Sequence, residues 1–97
     1  MIHNLKCHPE PFEALKSGKK LFEFRKNDRG FEVGDVLRLF KWDPDRELFR
    51  AEPELRFEVT YIARGPAFGI PEGYVIMSVK RERDLRDIVE EAWGFLP

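Results

Sequence analysis

The chain has no glutamine, a single cysteine, and only three serine or threonine side chains, Ser17, Thr60 and Ser78. One cysteine rules out an intramolecular disulfide and fits a reducing compartment, so a cytoplasmic protein is expected. The three hydroxyls and Cys7 are the only small nucleophiles, and none sits in an elbow or signature that would pair it with a base and an orienting acid. No apolar run approaches the roughly 18 residues needed to span a bilayer, and the opening Met1 to Lys6 lacks the apolar stretch of a signal peptide. No membrane association is expected. A P-loop, a dinucleotide fingerprint, HExxH and CxxC are all missing, which removes the usual nucleotide hydrolase, dehydrogenase and zinc-site readings. His3, Cys7 and His8 cluster near the start but lack a fourth ligand, so neither a metal nor a cofactor is expected.

What remains is a charged, aromatic-rich composition. Hydrophobic residues make up 42% of the chain and include nine Phe, enough for a core and too many for disorder. Charged residues reach 36%, an amide-poor balance that leans toward heat-adapted proteins. A length of 97 residues implies one domain, 1–97, with one core. The net charge of −1 predicts no strong general attraction to polyanions, but its distribution is uneven. Lys16, Lys19, Lys20, Arg25, Lys26 and Arg29 outnumber Glu23 and Asp28 in one short stretch, whereas the tail from Glu82 to Glu91 is acid-rich.

Hydrophobic periodicity then places the elements. Ile2 to Lys6 alternates as a first strand, and Pro9 and Pro11 open a helix with Phe12, Ala14 and Leu15 inward, closed by Ser17-Gly18. Lys20 to Lys26 is a charged strand ending in the turn Asn27 to Gly30, and Val36 to Trp42 is apolar enough to be central. Leu48-Phe49 forms a short pairing segment. The alternation Leu55, Phe57, Val59, Tyr61, Ala63 predicts one long, regular strand. After the Gly/Pro-rich loop from Gly65 to Pro71, Gly73 to Lys80 is another strand, and residues 82–93 form an amphipathic helix through Leu85, Ile88, Val89 and Ala92 that caps the sheet. The expected class is α+β: a small, closed or nearly closed barrel of five to six strands with two flanking helices. Among the rings, Trp42, Phe49, Phe68 and Tyr74 lie nearest turns, where an aromatic side chain can reach a ligand.

The most informative spelling is Gly18-Lys19-Lys20-Leu21-Phe22-Glu23-Phe24-Arg25, or GxKxxExR. Period-two geometry puts Glu23 and Arg25 on one strand face, where each neutralises the other while keeping hydrogen-bonding capacity. An exposed ion pair worth under about 1 kcal/mol is the alternative. The motif resembles the signature of the ASCH domain, a branch of the PUA-like superfamily. Leu5-Lys6, Pro9 and Phe12 before it, Arg25 to Arg29, Phe31 and Val33-Gly34-Asp35 after it, and the strand Gly73-Tyr74-Val75 look like a small uncharacterised ASCH-like group of bacteria and phages.

The resemblance implies a PUA-like barrel that binds RNA or a nucleotide-like ligand in a cleft. Gly18 would shape the turn and Lys20, Glu23 and Arg25 would line the cleft, with Lys6, Lys26, Asn27 and Arg29 near its rim. Lysine and arginine suit phosphate or a base acceptor, and a glutamate suits an exocyclic amine. A second member type is an amidohydrolase that deacylates an acylated cytidine with a lysine, a threonine and a distant glutamate. Lys20 matches that lysine, but Glu23 stands where the threonine would, so Lys20 and Glu23 would be catalytic only under that alternative. A protein-interaction module without a small ligand is the third reading.

Overall fold

The computed structural model describes residues 1–82; the helix expected over 82–93 therefore lies outside the described residues, apart from Glu82. Its elements, in chain order, are β1 (Ile2–Cys7), α1 (Pro9–Lys16), β2 (Phe22–Lys26), β3 (Val36–Asp43), β4 (Leu48–Phe49), β5 (Leu55–Arg64), a 3-10 turn (Ala67–Gly69) and β6 (Tyr74–Arg81). The class is mixed, a six-stranded sheet with one helix, and strand order runs β1-β3-β5-β6-β2 with β4 added to β3. β1 and β3 are parallel and the remaining pairs antiparallel. Among the described residues no helix is long and apolar enough to cross a membrane.

Local chemistry accounts for most element boundaries. Pro9 occupies the first helical turn, where a missing N–H costs nothing, and Phe12 and Leu15 of α1 are buried. Gly18, at φ +81°, takes the left-handed conformation that ends the helix and turns the chain toward β2. In the strands, period two sends Leu5 and Cys7 of β1, Leu37 and Leu39 of β3, and Val75, Met77 and Val79 of β6 into a common core with Phe12, Phe31 and Phe57. Between β5 and β6 the loop closes tightly: a Cβ on Gly65 would lie 1.9 Å from the Pro71 carbonyl oxygen, so only glycine fits.

Two expectations are corrected. The alternation of β5 does not run to its end, because a register shift between Val59 and Tyr61 inserts Thr60 as an extra residue against β6. Past that bulge the facing flips: Tyr61 is 64% exposed, and Ile62 packs against the core instead. Nor does the sheet close into a barrel. β1 and β2 are its two ends and share no backbone ladder. Two carbonyls on the free edge of β1 are taken by side chains: Arg25 Nη2 donates to the Lys6 carbonyl at 2.8 Å and Arg29 Nη1 to the Asn4 carbonyl at 3.1 Å. Guanidinium groups thereby satisfy two of the acceptors that a strand-to-strand ladder would use there.

Candidate functional site

β2 presents two faces of different character. Phe22 and Phe24 point outward, each 47% exposed, while Glu23 is turned in and only 3% exposed. A buried carboxylate is costly unless paired, and Glu23 is paired twice. Lys20 Nζ donates to its Oε1 at 3.1 Å and Arg25 Nε to its Oε2 at 2.7 Å. The end of α1 sets Lys20 in place, since its backbone N–H donates to the Ala14 carbonyl. Lysine, acid and guanidinium thus converge, with the carboxylate at the centre and both cations half-screened from water at 21% and 23% side-chain exposure. Beside them lies Cys7, whose thiol is pushed up to about 11, chiefly by burial and next by the Glu23 carboxylate. At neutral pH it is a thiol and no nucleophile.

Arg25 belongs to two assemblies at once. Nε is held by Glu23 and Nη2 by the Lys6 carbonyl, which orients the planar group across the β1–β2 gap. On the outer side of that gap is a cleft of about 460 Å³ lined by Asn4, Leu5, Lys6, Arg25, Arg29, Phe40 and Phe49. Three of these residues are cationic and none is acidic. The lining also carries aromatic rings: Phe49 of β4 meets Trp42 edge-to-face at 4.8 Å and Phe40 at 6.2 Å. Lys6 Nζ sits 3.8 Å from the centre of the Trp42 ring, a cation–π contact that holds the ammonium over the β3–β4 hairpin.

Of the residues expected at the site, Lys6, Arg25 and Arg29 line the cleft, whereas Lys20 and Glu23 stand behind it as the support of Arg25. The others lie elsewhere. Gly18 forms the turn after α1, and the parity of β2 puts exposed Lys26 on the Phe22 and Phe24 face. Asn27 serves the chain itself, its Oδ1 accepting the Phe31 backbone N–H at 3.0 Å and its own N–H meeting the Gly73 carbonyl. Among the aromatics near turns, Phe49 is on the cleft, Tyr74 stacks on Phe24 at 5.6 Å, and Phe68 is 91% exposed. Asn4, Leu5 and Phe40 were not anticipated in the lining. Their signal was nonetheless available for two of them, since Asn4 alternates with the inward Leu5 and Phe40 with the inward Leu39.

His3 and Cys7 share no site. His3 Nε2 lies 2.8 Å from Asp35 Oδ2, a buried pair that sequence reading did not foresee. Among the described residues, no group of three or more His, Cys, Asp or Glu side chains is placed to hold a metal ion.

A family model described as a domain of unknown function (DUF3850) matches residues 2–79, and the chain belongs to that family. It is also similar to an uncharacterised 12.9 kDa protein from the GpA 3′ region of Escherichia phage P2, at 49% identity over 41 residues. That match takes in 42% of this chain and 38% of the phage protein, so it spans well under half of the relative's length.

Proposed function

We propose that this chain is a PUA-like, ASCH-type binding module that holds RNA or a nucleotide-like ligand in the cleft between β1, β2 and the β3–β4 hairpin. One observation carries the reading: a 460 Å³ hollow is lined by the cations Lys6, Arg25 and Arg29 together with the rings of Phe40 and Phe49. Cations meet phosphate and rings stack on bases, and a nucleotide is the common ligand that offers both surfaces within a few ångströms. The GxKxxExR spelling has a physical place in the same picture. Lys20 and Glu23 fix the Arg25 fork, and Arg25 replaces the missing ladder at the open side of an otherwise barrel-like sheet.

The test is a titration of short single-stranded RNAs and nucleosides, including an N-acetylated cytidine, at two salt concentrations. Saturable binding that weakens in Phe49→Ala and Lys6→Ala supports the reading. Absence of any binding, or binding indifferent to both substitutions, overturns it. Release of acetate from the modified cytidine, lost in Lys20→Ala, would move the assignment to the amidohydrolase alternative.

A further inference from the structure

Carbonyls two residues apart on a strand face the same side, about 6.6 Å from one another. On the free edge of β1 those carbonyls belong to Asn4 and Lys6, and each accepts one guanidinium N–H, from Arg29 and Arg25 respectively. The strand repeat thereby spaces two guanidinium groups side by side at the mouth of one cleft. That spacing suits a single tetrahedral oxyanion, which needs a contact of about 2.8 Å on each flank.

Neither fork is used up. A guanidinium has five N–H donors. Among the described residues, Arg25 spends its donors on Glu23 and the Lys6 carbonyl, and Arg29 on the Asn4 carbonyl alone. Among the described residues no carboxylate lines the cleft to compete for the remainder, and Phe49, 54% exposed, offers a ring in the same lining. We propose that Arg25 and Arg29 form a phosphate seat, so that the ligand is a phosphorylated nucleotide with its phosphate bridging the two guanidinium groups and its base against Phe49.

The inference rests on the nucleotide-binding reading above and narrows it, because a neutral nucleoside would leave both forks unfilled. The phosphate can come from a free mononucleotide or from the backbone of a single strand. Isothermal titration of the four nucleoside 5′-monophosphates, their nucleosides and a trinucleotide separates these sources. Arg29→Ala is the informative variant, since among the described residues Arg29 holds the Asn4 carbonyl alone whereas Arg25 also neutralises a buried acid.

With the wild type, at least one monophosphate should bind about tenfold or more tighter than its nucleoside, the increment of a charge-assisted bidentate contact. Arg29→Ala should abolish most of that difference, weakening the monophosphate far more than the nucleoside, and Arg29→Lys should restore only part, because an ammonium lacks the fork. A trinucleotide tighter than every monophosphate assigns the phosphate to a strand; equal affinities assign it to a free nucleotide. The phosphate seat is overturned if nucleosides bind as tightly as nucleotides, or if Arg29→Ala weakens both alike, even though the cleft then still binds bases. If none of these compounds binds the wild type, the broader reading fails with it.

Discussion

Two carboxylates lie almost wholly out of water in this fold, Glu23 at 3% and Asp35 at 6% exposure, and they are held in opposite ways. Asp35 is bound into the chain. Its Oδ2 accepts from His3 and from the Glu32 backbone N–H, its Oδ1 from the Met1 ammonium, and its own carbonyl takes the Val59 N–H. Burial pushes its carboxyl upward, but the hydrogen bonds from His3 and Glu32, with the terminal ammonium, outweigh it and hold the group at about 2. Among the described residues Glu23 has side-chain partners only, Lys20 and Arg25, and both extend toward solvent. Backbone donors fix a carboxylate so that it joins segments; long cations use a carboxylate so that they are themselves positioned. The first arrangement is a structural joint between β1, β3 and β5, and the second fixes the arginine that lines the proposed binding cleft.

The strongest way to break this distinction is to remove each acid in turn. Asp35→Ala strands buried His3 and the Glu32 N–H without an acceptor, and should lower unfolding free energy by about 3 kcal/mol. Urea denaturation should show a reduced midpoint and an unchanged slope, while nucleotide affinity of the folded fraction stays within about twofold, because nothing in the cleft touches Asp35. Glu23→Gln keeps the shape but discards the charge on which Lys20 and Arg25 converge. It should cost less stability, about 1–2 kcal/mol given the partial exposure of both cations, and more binding, about tenfold, as the Arg25 fork loses its anchor. If both variants lost stability and affinity in the same proportion, the two carboxylates would be equivalent and the contrast wrong.

Acid sharpens the same comparison by a smaller amount. The Asp35 carboxyl titrates near 2 when folded against 3.8 ordinarily, so its contribution is complete above pH 3.8 and is lost as pH falls toward 2. Glu52 and Glu54 are also held low, by hydrogen bonds from Lys41 and Arg38 respectively, and will add to the acid loss at the surface. The informative quantity is therefore a difference. Urea midpoints measured from pH 5 to about 2 should converge for wild type and Asp35→Asn at the acid end and separate above it. Parallel curves across the range would mean that Asp35 carries no special linkage.

Much of this organisation was legible in the chain because period-two burial is a strong signal where one face meets a core. Leu37 and Leu39, or Val75, Met77 and Val79, announce both the strand and its inward side. Thr60 announces nothing: a β-branched residue suits a regular strand as well as a bulge, so the flip that exposes Tyr61 could not be read. Openness of the sheet was hidden for a related reason, since strand pairing is decided by distant partners, and the Arg25 and Arg29 side chains that span the gap look in sequence like ordinary surface charge. Spacing put Glu23 and Arg25 on one face, but Lys20 joined them only through the resemblance, since it lies three residues from Glu23 and outside β2. That Glu23 would be buried near Cys7, and that Arg25 would reach the Lys6 carbonyl, depended on segments distant in sequence. His3 and Asp35, 32 positions apart, carry no local pattern that links them.

Cys7 supplies an internal probe of the Glu23 end, with the smallest expected effect. Burial first and the Glu23 carboxylate second hold the thiol up at about 11, so a disulfide reagent at about pH 8 should modify the native protein slowly and the urea-unfolded protein fast. Glu23→Gln removes the carboxylate contribution but not the burial, and the thiolate fraction should rise several-fold at most. Destabilisation alone also speeds modification, because transient opening exposes the sulfur. Asp35→Ala separates the two causes, being the less stable variant and leaving the charge around Cys7 intact. With log rate plotted against unfolding free energy, wild type and Asp35→Ala define the dependence on opening, and Glu23→Gln should lie above their line. A Glu23→Gln point on that line would mean that its carboxylate does not act on the thiol directly, and that Glu23, like Asp35, contributes to this end of the molecule through stability alone.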